Sequence, residues 1–343
     1  MKILGSYKSG EIKEYLQAGE RIKAEIDGLA SPILIAHHGD CDGITGAALL
    51  ARYLKDSGKN VGFASSAEFR KKDALHFEKV FKEYSSGIFV EAQGMTEDFC
   101  QFDKNFINID HHPHPMNTPI KRMFNPRNYF VTPNPAIGFV MYELLFEDLP
   151  ANAGWISALA SIMDYCREPA ELLIENCKSD LKRFNELQDT FLASQYAEKM
   201  TTKMAEYLSN IPEPDEFLNE KCFEDRRMIF KRLIEEAEDR AQIAGKMVFA
   251  EVEYGDIRVA SPLANMLQDR YPEKCVVISE ISEDTTRLSV RLRSGNVHIG
   301  KVLAGIADAL GAGDGTGHER AGSARIPHAI KDDFLKMLEE RIG

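Results

Sequence analysis

The segment Pro32-Ile33-Leu34-Ile35-Ala36-His37-His38-Gly39-Asp40-Cys41-Asp42-Gly43-Ile44-Thr45-Gly46-Ala47-Ala48-Leu49-Leu50-Ala51-Arg52-Tyr53-Leu54 reads as three consecutive elements. Four apolar residues after a proline fit a short strand buried on both faces. The polar, glycine-containing run from 37 to 43 is a turn, and 44–54 has the apolar spacing of a helix. Strand, polar turn and helix in that order open a doubly wound α/β domain. Upstream, residues 8–29 form an amphipathic helix with Ile12, Tyr15, Leu16, Ile22 and Ile26 on one face. Downstream, 61–64, 88–90 and 106–109 are further buried strands, with a helix expected over 74–84. A helix over 155–164 ends in Asp164, and 170–245 is largely helical, interrupted by Pro212 and Pro214. From Lys246 the pattern changes to strands at 247–254, 275–278 and 287–293 and a helix over 298–310 running into a glycine-rich turn. The expectation is therefore α/β throughout: a mostly parallel-sheet domain over 1–169, a helical connector over 170–245 and a smaller α/β domain over 246–343.

The composition supports this layout. The chain has 343 residues, 44% of them hydrophobic, which is enough for two cores and argues against disorder. With 42 Lys and Arg against 54 Asp and Glu, the formal charge is -12. That excludes a broad basic coat for nucleic acid but permits a local anion site. None of the 6 cysteines forms a Cys-x-x-Cys pair, so neither a disulfide framework nor a zinc knuckle is expected. Reduced thiols, no apolar signal segment and no membrane-length apolar run lead to the expectation of a cytoplasmic protein.

Two polar clusters end buried strands. His38-Gly39-Asp40-Cys41-Asp42-Gly43 follows the first, with three hard or borderline ligands at alternate positions. Asp110-His111-His112-Pro113-His114 follows another. Imidazole and carboxylate together suit Mn²⁺, Zn²⁺ or Fe²⁺, and carboxylate alone suits Mg²⁺. Each cluster alone is also compatible with a solvated polar loop. Jointly they would project from one edge of one sheet.

His38-x-Asp40-x-Asp42-Gly43 with Asp110-His111-His112 resembles the first and third motifs of the DHH phosphoesterases. Gly311-Ala312-Gly313-Asp314-Gly315-Thr316-Gly317-His318-Glu319-Arg320-Ala321-Gly322 is similar to the glycine-rich signature of the DHH-associated C-terminal domain. The resemblance spans almost the whole chain, and its layout looks most like archaeal RecJ-like exonucleases. It implies that His38 and Asp40 bind one metal and that Asp42, His111 and Asp164 bind another. It further implies that His112 contacts the scissile phosphate and that Asp110 supports the histidines. The pattern departs at one place. Where the family has an aspartate bridging both metals, this chain has Glu91, which either reaches a metal through its extra methylene or is an unrelated surface residue. The implied cofactor is one or two divalent cations, Mn²⁺ or Mg²⁺.

For substrate, the resemblance implies that Gly315, Gly317, His318, Arg320 and Arg325, together with Arg291 and Arg293 on one strand face, hold a nucleotide or strand end. Between residues 287 and 325 there are six cations (Arg287, Arg291, Arg293, Lys301, Arg320 and Arg325) against three anions (Asp308, Asp314 and Glu319), so this segment is positive within an acidic chain. Arg226, Arg227, Lys231 and Arg232 fit a solvated helix face better than a phosphate track, and Tyr129, Phe130 and Trp155 fit core packing better than base stacking. The implied activity is metal-dependent exonucleolytic hydrolysis of single-stranded DNA, RNA or short oligonucleotides. A small-molecule phosphoesterase for phosphoadenosine phosphate or cyclic dinucleotides, and a weakened paralogue serving a replication or repair protein partner, are the alternatives.

Overall fold

The computed structural model describes residues 12–66, 77–92, 105–112, 122–129, 135–164, 166–176, 181–195, 200–253, 255, 257, 259–294 and 297–342. His114, Phe130, Cys100 and Cys177 lie outside them. The chain divides into two compact units, Met1–Phe191 with Lys199–Phe223, and Leu192–Glu198 with Glu224–Gly343.

In the first unit five strands pair in parallel: β1 (Ile33–His38), β2 (Val61–Ser66), β3 (Ser86–Val90), β4 (Phe106–Ile109) and β5 (Met123–Phe124). Their order is β2-β1-β3-β4-β5. The apolar runs form strands because both faces are covered. On one face Leu34, Ala36, Ala64 and Phe89 pack with Phe77 and Phe81. Against the other lies α2 (Cys41–Asp56), which also packs against α3 (Ile137–Leu145) and α4 (Gly154–Met163). Each fully buried Leu or Ile of these strands contributes about 1.5–3 kcal/mol. Helix α1 (Ile12–Asp27) rests its Tyr15 ring on Phe124 and Tyr129, at 5.5 and 6.1 Å between centroids. After β1 the chain goes to β2 on one side and then to β3 on the other, so the carboxyl ends of β1 and β3 form the topological switch point where ligands of such sheets gather. The all-helical stretch that follows comprises α5 (Arg167–Asn176), α6 (Leu181–Gln195), α7 (Met200–Leu208), α8 (Pro214–Asn219) and α9 (Lys221–Asp239). Trp155 is buried, and its indole N–H donates to the Pro212 carbonyl at 2.9 Å, which fixes it as a core residue.

The second unit holds a mixed sheet of order β10-β11-β9-β8-β7-β6. Its strands are β6 (Gln242–Ala244), β7 (Met247–Glu253), β8 (Cys275–Ile281), β9 (Thr285–Arg291), β10 (Asp314–Gly317) and β11 (Ala321–Pro327). Helix α10 (Ala260–Arg270) and Phe230, Ile234 and Ala237 of α9 pack with Val248, Ala250, Val276 and Ile278. Helices α11 (Ile299–Leu310) and α12 (Lys331–Ile342) pack with Val277, Leu288, Val290, Ala324 and Ile326.

One sequence expectation is corrected here. The glycine-rich run after α11 is not simply a turn: it builds the β10–β11 hairpin, whose strands pair from Asp314↔Arg325 to Gly317↔Gly322. The glycines let α11 lie directly on that hairpin. A Cβ on Gly300 would stand 2.2 Å from the Gly317 carbonyl oxygen, and one on Gly315 2.4 Å from the Leu303 carbonyl carbon. Among the described residues no helix is long and apolar enough to cross a membrane.

Candidate metal centre

The two polar clusters and Glu91 converge at the switch point of the first sheet. Asp40 caps α2, accepting from the Gly43 amide at 3.1 Å, and its other oxygen lies 2.9 Å from His38 Nδ1. Asp42 lies in the first turn of α2 and is buried. Its two oxygens accept the Ile137 and Gly138 amides at 2.7 and 2.8 Å, tying the start of α2 to the N-terminus of α3. Helix α4 ends at Asp164, whose Oδ2 lies 3.7 Å from His111 Nδ1.

Glu91 is the pivot. It follows β3 with φ 57, an uncommon conformation for a residue with a side chain, and is only 2% exposed, so it is no surface residue. One carboxylate oxygen stands 3.8 Å from His38 Nδ1 and the other 3.9 Å from His111 Nε2. Three groups of potential ligand atoms, each within 4.8 Å of one another, result: His38, Asp40 and Glu91; Asp42, His111 and Asp164; and Glu91, His111 and His112.

Hydrogen bonds set the imidazoles. His111 Nδ1 donates to the Pro135 carbonyl at 2.8 Å, leaving Nε2, 3.6 Å from Asp42 Oδ2, with its lone pair toward the carboxylates. His112 Nδ1 lies 2.9 Å from Asp110 Oδ1, which also accepts the His112 amide at 3.0 Å. Asp110 itself is fully buried.

Electrostatics show what this arrangement suits. Burial, then the Asp40 charge, pushes Asp42 up to about 7. Burial and the Asp42 charge push Asp164 up to about 6. Burial and the charges of Asp40 and Asp42 raise Glu91 well above the usual carboxylate range. Burial lowers His111. Asp40 behaves differently: burial works to raise it, but the hydrogen bond and charge of His38 override that and hold it below the usual range. Carboxylates crowded out of water in this way are relieved by bound cations, and an oxygen and imidazole donor set suits divalent ions. The residues therefore fit a divalent-cation centre.

Four supporting groups escaped the sequence reading. Asn125, buried, donates from Nδ2 to the His112 carbonyl at 2.8 Å. Arg127 donates from Nε to the His111 carbonyl at 2.6 Å. The Ile137 and Gly138 amides hold Asp42. The only sequence signal was an Asn-Pro-Arg turn after a two-residue strand.

The expected substrate-binding residues all lie in the second unit. Arg291 donates to Asn265 and Ser261 of α10 at 2.6 and 2.8 Å, and Arg293 pairs with Asp269 at 2.5 Å. Gly315 and Gly317 face α11 closely, whereas His318, Arg320 and Arg325 are exposed. The first amides of α11 are taken by the Glu319 and His318 carbonyls, at 3.0 Å each.

Fold and centre together define a two-unit α/β protein with a cluster of carboxylates and imidazoles suited to divalent cations at the switch point of its first sheet. Residues 244–343 match the family model of the DHHA1 domain, and no curated protein matches the chain. RecJ of Thermus thermophilus in complex with Mn²⁺ is 15% identical with a TM-score of 0.69, over 95% of this chain and 54% of that one. The chain thus spans about half the length of that RecJ. A pGpG-specific phosphodiesterase from Vibrio is 16% identical with a TM-score of 0.55, over 89% of this chain and 97% of that one. CDC45 from Entamoeba histolytica is 11% identical with a TM-score of 0.59, over 95% of this chain and 98% of that one. Residues 244–343 thus carry a DHHA1 domain, and the chain as a whole has the fold of RecJ and of the pGpG-specific phosphodiesterase.

Proposed function

We propose that this protein is a metal-dependent phosphodiesterase, a RecJ-like exonuclease that releases mononucleotides from single-stranded DNA, RNA or short oligonucleotides. The observation that carries this reading is the position of Glu91, within 4 Å of both His38 and His111, so that one carboxylate serves two ligand groups. In this reading His38, Asp40 and Glu91 hold one divalent cation and Asp42, His111 and Asp164 a second, with Mn²⁺ favoured by the two imidazoles. Bound cations would polarise the phosphoryl group and acidify a water for in-line attack. The remaining work falls to the chain's own groups. Asp110 fixes the His112 ring through Nδ1, which reserves Nε2 for an oxygen of the scissile phosphate. The Pro135 carbonyl keeps His111 in the tautomer that ligates through Nε2. In the DHHA1 domain, His318, Arg320 and Arg325 have exposed side chains to offer a nucleotide, while Arg291 and Arg293 first have to leave their partners on α10.

The test compares single-stranded DNA, single-stranded RNA, dinucleotides and phosphoadenosine phosphate at equal concentration with Mn²⁺. Mononucleotide release from single strands, abolished by EDTA and by His111→Ala, is the expected outcome. Preference for the smallest substrates would instead make it a small-molecule phosphoesterase. Equilibrium binding of a strand without turnover would make it a binding subunit.

A further inference from the structure

Arg127 stands beside the metal centre in an arrangement that no ligand assignment uses. Its Nε donates to the carbonyl of His111 at 2.6 Å, and its own amide donates to Asn125 Oδ1 at 2.9 Å. Asn125 in turn donates to the His112 carbonyl at 2.8 Å, so one short turn grips the backbone of both histidines and carries a guanidinium with it. Arg127 is exposed, and its two terminal nitrogens make no hydrogen bond or ion pair among the described residues. That is unexpected for a guanidinium held on the backbone of His111, whose ring belongs to a cluster rich in carboxylates. An arginine placed to neutralise the centre would pair with one of these carboxylates. Arg291 and Arg293, by contrast, already have protein partners.

We propose that Arg127 is a phosphate-binding residue of the metal centre. Its Nε is fixed on the His111 carbonyl, and its two terminal amino groups take two oxygens of the phosphoryl group held there. A planar guanidinium anchored at one nitrogen keeps a two-toothed fork for a tetrahedral anion, which a lysine cannot reproduce. This deepens the phosphodiesterase reading and rests on its metal centre, but it requires only that a phosphoryl group bind.

The experiment is calorimetric titration of inorganic phosphate into the full chain loaded with micromolar Mn²⁺, alongside Mn²⁺ affinities read by electron paramagnetic resonance. Wild-type protein should bind phosphate. Arg127→Ala should weaken that binding about ten- to hundredfold, the loss expected for charge-assisted hydrogen bonds, with Mn²⁺ affinity unchanged. Arg127→Lys should recover only part of the loss. No phosphate binding by the wild type, an unaltered Arg127→Ala, full rescue by lysine, or an equal fall in Mn²⁺ affinity would each overturn the proposal. The last would reduce Arg127 to a strut for His111. Wild-type protein that binds phosphate through Arg127 yet hydrolyses no phosphodiester would refute the activity while leaving this site intact.

Discussion

Gly43 shows how closely the centre is fitted. It lies in the first turn of α2, where an added Cβ would stand 2.6 Å from the His38 carbonyl oxygen and 2.9 Å from the His38 nitrogen and Cβ. Its φ is not positive, so the requirement is space rather than turn geometry. Gly43→Ala should push His38 away from Asp40 and Glu91 and lower Mn²⁺ affinity at least about tenfold while the protein stays folded, as overpacking shifts backbone locally. Mn²⁺ titration with circular dichroism checks this, and unaltered affinity would refute it. The crowded carboxylates give a pH prediction at the same scale. Asp42 at about 7 and Asp164 at about 6 lie above their unfolded value near 3.8, so between about pH 4 and pH 7 the folded metal-free protein binds more protons than the unfolded chain. Their contribution to stability is therefore fully present at low pH and is lost as pH rises through that window. Cations bound to the ionised groups reverse the loss. Mn²⁺ should raise the melting temperature more at pH 8 than at pH 5.5, and an equal rise at both would refute the coupling. His38, Asp40, Asp42, Asp110 and His111 were legible in the sequence because each lies at or just beyond the end of a buried strand. Asn125 and Arg127 were not, because they act by hydrogen-bonding backbone carbonyls of residues more than ten positions away.

Elements explain why standard substitutions at this centre need care. Helix α3 has no side-chain cap of its own at Ala136, and Asp42 supplies one from α2 through both oxygens. Asp42→Ala therefore removes a proposed ligand and a cap together, and the cap alone is worth about 0.5–2 kcal/mol. With EDTA present, Asp42→Ala should unfold at lower urea than Asp42→Asn, which keeps one acceptor oxygen, although both should lose Mn²⁺ binding. Coincident unfolding midpoints would show that the cap contributes nothing. The glycine-rich hairpin presents the opposite situation. A methyl at Gly315 meets the backbone of Leu303 and Ala304, so Gly315→Ala should destabilise the second unit by about 1–3 kcal/mol. A variant of unchanged stability that fails to bind oligonucleotide would instead make Gly315 a substrate contact. The periodic helices and buried strands were readable because each shows one clear apolar period. The hairpin was not: alternating glycines carry no hydrophobic pattern, and their role depends on a helix that packs on them from residues 299–310. The same holds for β6, whose three residues are all exposed.

Charge is the property that has to be argued over the whole chain. A formal charge of -12 repels a nucleic-acid strand, and the metal centre adds to this by gathering Asp40, Asp42, Glu91, Asp110 and Asp164 in one place. The positive segment from 287 to 325 offsets it only locally, since Arg291 and Arg293 are partnered. Strand binding should then depend on a few phosphates held at specific points and on cations at the centre, not on a long basic track. For single strands each neutralised phosphate contributes about -0.7 to the slope of log affinity against log salt. A grip on about three phosphates gives a slope of about -2, so raising salt about fourfold, from roughly 50 to 200 mM, would weaken binding about sixteenfold. The measurement is fluorescence anisotropy with a phosphorothioate oligonucleotide, which resists hydrolysis, at several salt concentrations with Mn²⁺ and with EDTA. The expected result is a slope of about -2 with Mn²⁺ and little binding in EDTA. A slope steeper than about -5, or binding indifferent to EDTA, would mean that the protein follows a long stretch of backbone on a surface independent of the metal centre.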